Sequence, residues 1–285
     1  MAIARSAHSM PGERSPHLDA PSVGDVVATV VSNTHVNEEY WHLVLDAPAP
    51  APRAQAGQFF NLECPHTDAD KPFFRRPMSV YRASASEGRI EFLYKVVGAG
   101  TRGLAALKPG QNMRVFGPLG VGFSIEPHWR HIVVLGRGVG LATLAPLAEM
   151  AAQRGAAVTA ILSARSPAHV MSVERFSAAG AAVRVVVDAD GSSEPSRVEA
   201  ALRELVGVQH ADAFFTCGSN RLMLLMQRLG QELGVGGQVA MEQQMACGIG
   251  MCICCVRKFK TPDGVESRRV CLDGPVFKLD EVLAW

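Results

Sequence analysis

Five cysteines lie close together near the C-terminal end of the chain, in the run Cys247-Gly-Ile-Gly-Met-Cys252-Ile-Cys254-Cys255 and at Cys271. Taken as Cys247, Cys252, Cys255 and Cys271, they form a C-x4-C-x2-C motif with a distant fourth thiol. That is the spacing of plant-type [2Fe–2S] ferredoxins, whose cluster needs four thiolates. Gly248 and Gly250 suit the same chemistry, because a loop wrapped round a cluster must turn tightly and bring backbone N–H groups near the sulfurs. Four cysteines also make a structural zinc site. Zinc ligands, however, usually come as two short C-x2-C pairs, whereas three of these crowd one loop. Cys254 is surplus in this register, and a register that uses it in place of Cys255 stays open. Cys64 and Cys217 sit in apolar, strand-like runs and read as ordinary buried thiols.

Three other stretches are suited to phosphate. Gly136-Arg-Gly138-Val-Gly140 follows an apolar run and precedes an alanine-rich one. In that position glycines let a dinucleotide approach the backbone, and a helix N-terminus offers free N–H groups. The same glycines could serve packing alone. Tyr94-Lys95-Val-Val-Gly98-Ala-Gly100-Thr101 combines a lysine, a glycine pair and a hydroxyl, or is simply a hairpin turn. In Arg75-Arg76-Pro77-Met78-Ser79, an arginine held by the following proline can make a fixed, charge-assisted contact with a pyrophosphate. The bland alternative is a surface arginine pair before an edge strand. Their joint order says more than any one of them.

The elements that must carry these residues fall into segments of different texture. Residues 1–22 are small, polar and proline-containing without an apolar core, and read as a disordered leader rather than a secretory signal. Residues 23–126 show short β-rich runs (25–31, 41–45, 58–63, 78–82, 89–97, 111–116) between Pro, Gly and Ser clusters, which predicts a small β-barrel. Residues 127–236 alternate: apolar runs at 131–135, 158–162, 183–187 and 213–217 are separated by helical stretches, which predicts a parallel α/β sheet of Rossmann type. A helix is expected over 219–233, then a glycine break, and 237–285 forms the cysteine-bearing domain. The formal net charge of +1 gives no electrostatic case for nucleic acid or an anionic membrane. No apolar run is long enough to span a bilayer as a helix. Seven cysteines without a disulfide-like pattern point to a reducing compartment, the cytoplasm.

With those residues in place, the chain resembles, over roughly residues 23–285, the electron-transfer subunits of the two-subunit, NAD-dependent dihydroorotate dehydrogenases, in the ferredoxin-reductase-like superfamily. Arg76-Pro77-Met78-Ser79 is similar to the family's R-P-x-S run, which implies an arginine on the FAD pyrophosphate and a serine near the flavin ring. Leu93-Tyr94-Lys95 and Gly100-Thr101 match the next two FAD-contacting stretches, and 117–123 matches the G-P-L-G-x-G-F segment that closes the flavin domain. The family's cluster ligands map onto Cys247, Cys252, Cys255 and Cys271. Two departures fall in the nicotinamide half. Arg137 stands where the family usually has a glycine, and Cys217-Gly218-Ser219 replaces Cys-Gly-Pro.

The resemblance implies a flavin and iron–sulfur subunit in which NAD(H), held at Gly136, Gly138 and Gly140 with Cys217 near the nicotinamide, exchanges electrons with FAD. A [2Fe–2S] cluster then links FAD to an FMN-containing catalytic subunit of pyrimidine biosynthesis. The cofactors carry that chemistry, so no acid–base dyad or nucleophile triad is expected. The rival reading is a relay component of another multi-subunit oxidoreductase with altered or lost pyridine-nucleotide use. NADP is open as well: Ser163-Ala-Arg165-Ser166 follows the second α/β strand and offers no acid for a ribose hydroxyl.

Overall fold

The computed structural model describes residues 23–284; the expected leader at 1–22 lies outside the described residues. The chain first builds an antiparallel sheet from β1 (Gly24–His35), β2 (Tyr40–Asp46), β3 (Phe59–Leu62), β4 (Arg76–Ser79), β5 (Arg82–Ser84), β6 (Arg89–Lys95) and β7 (Asn112–Leu119), with the short helix α1 (Ala99–Ala105) between β6 and β7. The strand order is β4-β3-β7-β1-β2-β6-β5, and no ladder joins the outer strands β4 and β5. The expected barrel is therefore a curled sheet open along one seam. Alternation along β1, β2 and β6 sends Val30, Leu43, Leu45, Ile90 and Phe92 inward, where they pack with Phe60, Leu62 and Val115.

An α/β layer follows: β8 (His131–Arg137), α2 (Gly140–Gln153), β9 (Ala157–Ala164), α3 (Val173–Ala178), β10 (Ala182–Val187), α4 (Pro195–Gly207), β11 (Ala213–Cys217), α5 (Asn220–Leu233) and β12 (Gly236–Ala240). β8 to β12 are parallel, in the order β10-β9-β8-β11-β12. The order reverses between β8 and β11, so the crevice beyond their C-terminal ends is where ligands bind in such sheets. The glycine run 136–140 and the Cys217–Gly218 turn both open onto that point.

The last segment contains the hairpin β13 (Val256–Thr261) and β14 (Gly264–Arg269), the helical turn α6 (Val270–Asp273) and β15 (Val276–Lys278). Here the boundary differs from the one expected at 236/237. The glycines 236 and 237 do not end the α/β layer but begin β12, and β15 returns to pair antiparallel with β12. The cysteine segment thus leaves the sheet at residue 240 and rejoins it at 276. Its Cys255, Phe259, Val270 and Cys271 belong to the same buried cluster as Val133, Phe214 and Met226 of the α/β layer.

Gly237 is the tightest point of that edge. Its φ is +153° and an added Cβ would lie 1.8 Å from the Phe214 carbonyl oxygen, while Gly236 has open space at the same position. Gly237→Ala should cost about 2–4 kcal/mol in urea unfolding, and Gly236→Ala well under 1 kcal/mol.

Candidate functional site

The cysteine loop is shaped by three residues in left-handed conformation, Gly248 (φ 74°), Gly250 (φ 78°) and Ile253 (φ 52°). A side chain at Gly248 would meet the Asn61 amide nitrogen at 2.4 Å, and one at Gly250 would meet Leu272 at 2.7 Å, so both turns need glycine for space as well as for φ. The gap between the third and fourth cysteines is explained by the hairpin. Pairing of Val256 with Arg269 returns the chain to its start and sets Cys271 beside Cys255.

The four expected ligands fall into two pairs. The Cys271 amide donates to Cys255 Sγ at 3.5 Å, and the Cys252 amide donates to Cys247 Sγ at 3.4 Å. The Gly250 amide adds a donor to Cys271 Sγ at 3.2 Å. Cys255 and Cys271 are buried, Cys247 is half-buried and Cys252 is exposed. Burial and then the adjacent Cys255 thiol push Cys271 up to about 12. Hydrogen bonds from the backbone at Cys247 and Cys254 bring Cys252 down to about 6. Two pairs with amides aimed at the sulfurs fit a binuclear centre, with two thiolates for each iron. A structural zinc ion would need its four ligands round one point, whereas these thiols fall into two pairs. Cys254 Sγ lies 3.4 Å from Cys252 Sγ, on the exposed side and away from the buried pair.

The loop is docked on the curled sheet. Asn61 on β3, 1% exposed, donates through its side-chain nitrogen to the Cys247 carbonyl at 3.3 Å. Beside this contact lies a cavity of about 230 Å³ whose walls come from all three segments. Phe59, Pro77, Met78, Ser79 and Leu93 are from the curled sheet; Val139, Ala142 and Thr143 are from the start of α2; Met241, Glu242, Gln243, Met245 and Pro275 are from the cysteine segment. Apolar walls with a few polar groups suit a flat heteroaromatic ring.

Next to it the two arginines of the 75–76 pair have different fates. Arg75 is tied to Asp25 and Glu63. Arg76 forms no ion pair among the described residues, and its guanidinium lies against Gly100, where a Cβ would fall 2.7 Å from Nε. The guanidinium donates to the Phe74 carbonyl at 2.5 Å, and a cation held there over a glycine at the start of α1, with no carboxylate against it, fits a pyrophosphate. Other expected contacts are differently employed. Thr101 Oγ1 accepts from the Val97 and Gly98 amides and donates to the Gly98 carbonyl, so it fixes the loop. Tyr94 points into the core of the curled sheet, and its hydroxyl donates to Asn33. This differs from the expectation of a ligand contact, because alternation along β6 turns Leu93 to the cavity and Tyr94 away from it. Lys95 lies outside the cavity, paired with Glu39 at 2.9 Å.

A second cleft, of about 270 Å³, opens beyond the C-terminal ends of β8, β9 and β11 and is lined by Glu39, Tyr40, Lys95, Arg137, Gly138 and Arg165, among others. Its glycines do different jobs. A Cβ on Gly136 would meet Leu141 and Leu144, and one on Gly140 would fall 2.5 Å from the Cys217 carbonyl, so these two let helix and turn pack closely. Gly138 (φ +55°) faces the cleft, close to the Tyr40 hydroxyl. Cys217 is buried beneath the floor, and burial raises its thiol. The two departures have structural employment. Arg137 donates to Ser163 Oγ at 2.9 Å and to Asp188 at 2.6 Å, holding Asp188 at about 2; Ser219 caps α5 by accepting from the Leu222 amide.

Sequence reasoning missed Asn61 and Glu242. Asn61 gave no signal. Glu242 did: it is an acid directly after the apolar run Val239-Ala-Met, a position that packing alone would not choose.

Comparison with known proteins decides the family. Residues 242–283 match the iron–sulfur cluster binding domain of dihydroorotate dehydrogenase B, and residues 27–123 match the oxidoreductase FAD-binding domain. The electron transfer subunit of dihydroorotate dehydrogenase B (NAD(+)) from Desulforamulus reducens is 30% identical over 250 residues, which cover 88% of this chain and 95% of that protein. The chain belongs to this family. Its counterpart in Bacillus velezensis is 33% identical over 259 residues, covering 89% and 97%. Among solved structures, one described as an NADH-dependent reduced ferredoxin-NADP oxidoreductase superposes with a TM-score of 0.75 at 27% identity, covering 90% of each chain. A ferredoxin reductase of carbazole 1,9a-dioxygenase shares the fold at 21% identity (TM-score 0.61, 76% of this chain and 68% of that one).

Two outcomes follow for this family member. Cys255→Ser and Cys271→Ser should lose the iron and acid-labile sulfide of purified protein, while Cys254→Ser should keep both. Arg76→Ala should weaken FAD binding by roughly 30-fold in fluorescence titration of apoprotein, the loss of a charge-assisted contact, while Arg75→Ala should leave it within about threefold.

Proposed function

We propose that this chain is the electron-transfer subunit of a two-subunit oxidoreductase, carrying electrons between NAD(H) and a partner flavoprotein through FAD and a [2Fe–2S] cluster. The observation that carries the reading is the cavity at the three-way junction, whose wall 241–245 runs straight into Cys247. FAD, when bound, takes two electrons at once from a nicotinamide and releases them singly. Around it, Arg76 and the amides at Ala99 and Gly100 would hold the pyrophosphate. Pro77 to Ser79, Leu93 and Thr143 would seat the ring, and Met241 to Met245 would keep water from the side that faces the cluster.

The cleft at the end of β8 is the place for the dinucleotide. Lys95 and Arg165 offer cations at its mouth, both shared with Glu39. Since Arg137 and Ser219 have structural partners, they give no reason to suppose that nucleotide use has been lost. The electron acceptor, following the relatives' naming as subunits of dihydroorotate dehydrogenase B, would be an FMN-containing catalytic subunit. A rim of exposed apolar side chains round the cluster loop, Ile249, Met251, Ile253 and Leu272, suits a protein partner there. No helix of the described residues is long and apolar enough to cross a membrane, and all seven cysteines are free, which suits a reducing cytoplasm.

Anaerobic addition of NADH to the purified protein should bleach the flavin band within the mixing time of a stopped-flow instrument and then develop the paramagnetic signal of a reduced [2Fe–2S] centre. A flavin band unchanged by both NADH and NADPH would leave only a relay role.

A further inference from the structure

Two residues, Val139 and Glu242, line both the flavin cavity and the dinucleotide cleft. Hydride passes directly from ring to ring, so donor and acceptor must meet where the two spaces adjoin, between these side chains. Of the two, only Glu242 is ionisable.

The other charged groups of the cleft each have a partner, with two cations sharing one carboxylate at its mouth, away from Glu242 in the chain. Lys95 and Arg165 both bind Glu39, Arg137 binds Asp188, and His169 binds Glu38. The remaining titratable groups near Glu242 are Tyr40 and Cys217, and burial raises both, which keeps them uncharged near neutral pH. Glu242 has no ion pair or hydrogen bond among the described residues. It is open to solvent, but surrounded by enough protein that desolvation raises its carboxyl above the usual range. An ionised carboxylate with no cation of its own, at the meeting point of two ligand sites, is matched by a cationic ligand.

We propose that Glu242 sets the redox-state preference of the nicotinamide site, its carboxylate favouring the oxidised, cationic nicotinamide ring over the neutral reduced one. The inference rests on the dinucleotide reading of the cleft given above. The oxidised ring carries a positive charge and the reduced ring none, so Coulomb attraction acts on only one of them. The rest of the two molecules is the same, so their other contacts cancel in the comparison. Glu242 would thereby hold the oxidised cofactor more firmly and shift the nicotinamide couple at the site toward hydride donation.

The test is isothermal titration of the FAD-loaded protein with NAD+ and with a tetrahydronicotinamide analogue of NADH, which is neutral and cannot give up hydride. At pH 8, Glu242→Gln should weaken NAD+ on the order of tenfold and leave the analogue within about twofold. Glu242→Asp, which keeps the charge, should retain most of the preference. In the unsubstituted protein the preference for NAD+ should be full above the raised carboxyl pKa and fall as pH drops through it. That profile should be flat in Glu242→Gln. Equal weakening of the two ligands, or an unchanged ratio, would overturn the proposal while leaving the dinucleotide site intact. Failure of the unsubstituted protein to bind either ligand would overturn the reading of the cleft and the proposal with it.

Discussion

The arrangement depends on the pairing of β12 with β15. The chain leaves the parallel sheet after Ala240 and returns at Val276, so everything between is a long loop held at both ends by one short antiparallel ladder. Met241 carries the ladder one bond further through the Pro275 carbonyl. Closing a loop of this length costs entropy, which the buried Phe259, Val270 and Phe277 offset by joining the core beneath the sheet. The Asn61 contact to Cys247 and the Val121 amide bond to the Gly274 carbonyl then fasten the loop to the curled sheet. Without the ladder, the cavity would lose one wall and the cysteines their fixed distance from it.

The glycine contacts at the switch point are a second constraint. Gly140 against the Cys217 carbonyl, and Gly218 against the Arg137 carbonyl, let two strand-to-helix turns touch backbone to backbone. Any side chain there would push α2 away from β11 and widen the cleft floor. Part of the G-x-G-x-G run is thus a packing device, with Gly138 left as the member that faces the cleft.

Much of this was legible in the sequence because it rests on local pattern. Strand alternation and the apolar runs 131–135 and 213–217 depend on near neighbours, and each marks an element found in the structure; the cysteine spacing is a local pattern too. What was not legible depends on partners distant in the chain. The residues 236–240 read as a break because two glycines open them, and only the neighbouring Phe214 backbone explains why a strand needs glycine there. Thr101 and Tyr94 matched a motif by type, but their hydrogen bonds to Gly98 and Asn33 show side chains used by the fold itself. Arg75 and Arg76 are indistinguishable in sequence; the carboxylates that occupy the first come from β1 and from the end of β3.

The unequal surroundings of the two thiol pairs have a consequence of their own. Cys255 and Cys271 sit in the core, while Cys247 is half-buried and Cys252 exposed. A cluster seated on them would have one iron in a medium of low polarisability and one at the edge of bulk water. The thiols on the inner side would be shielded from water and those on the outer side would not. The asymmetry would leave one edge of such a group, rather than its middle, within reach of another molecule.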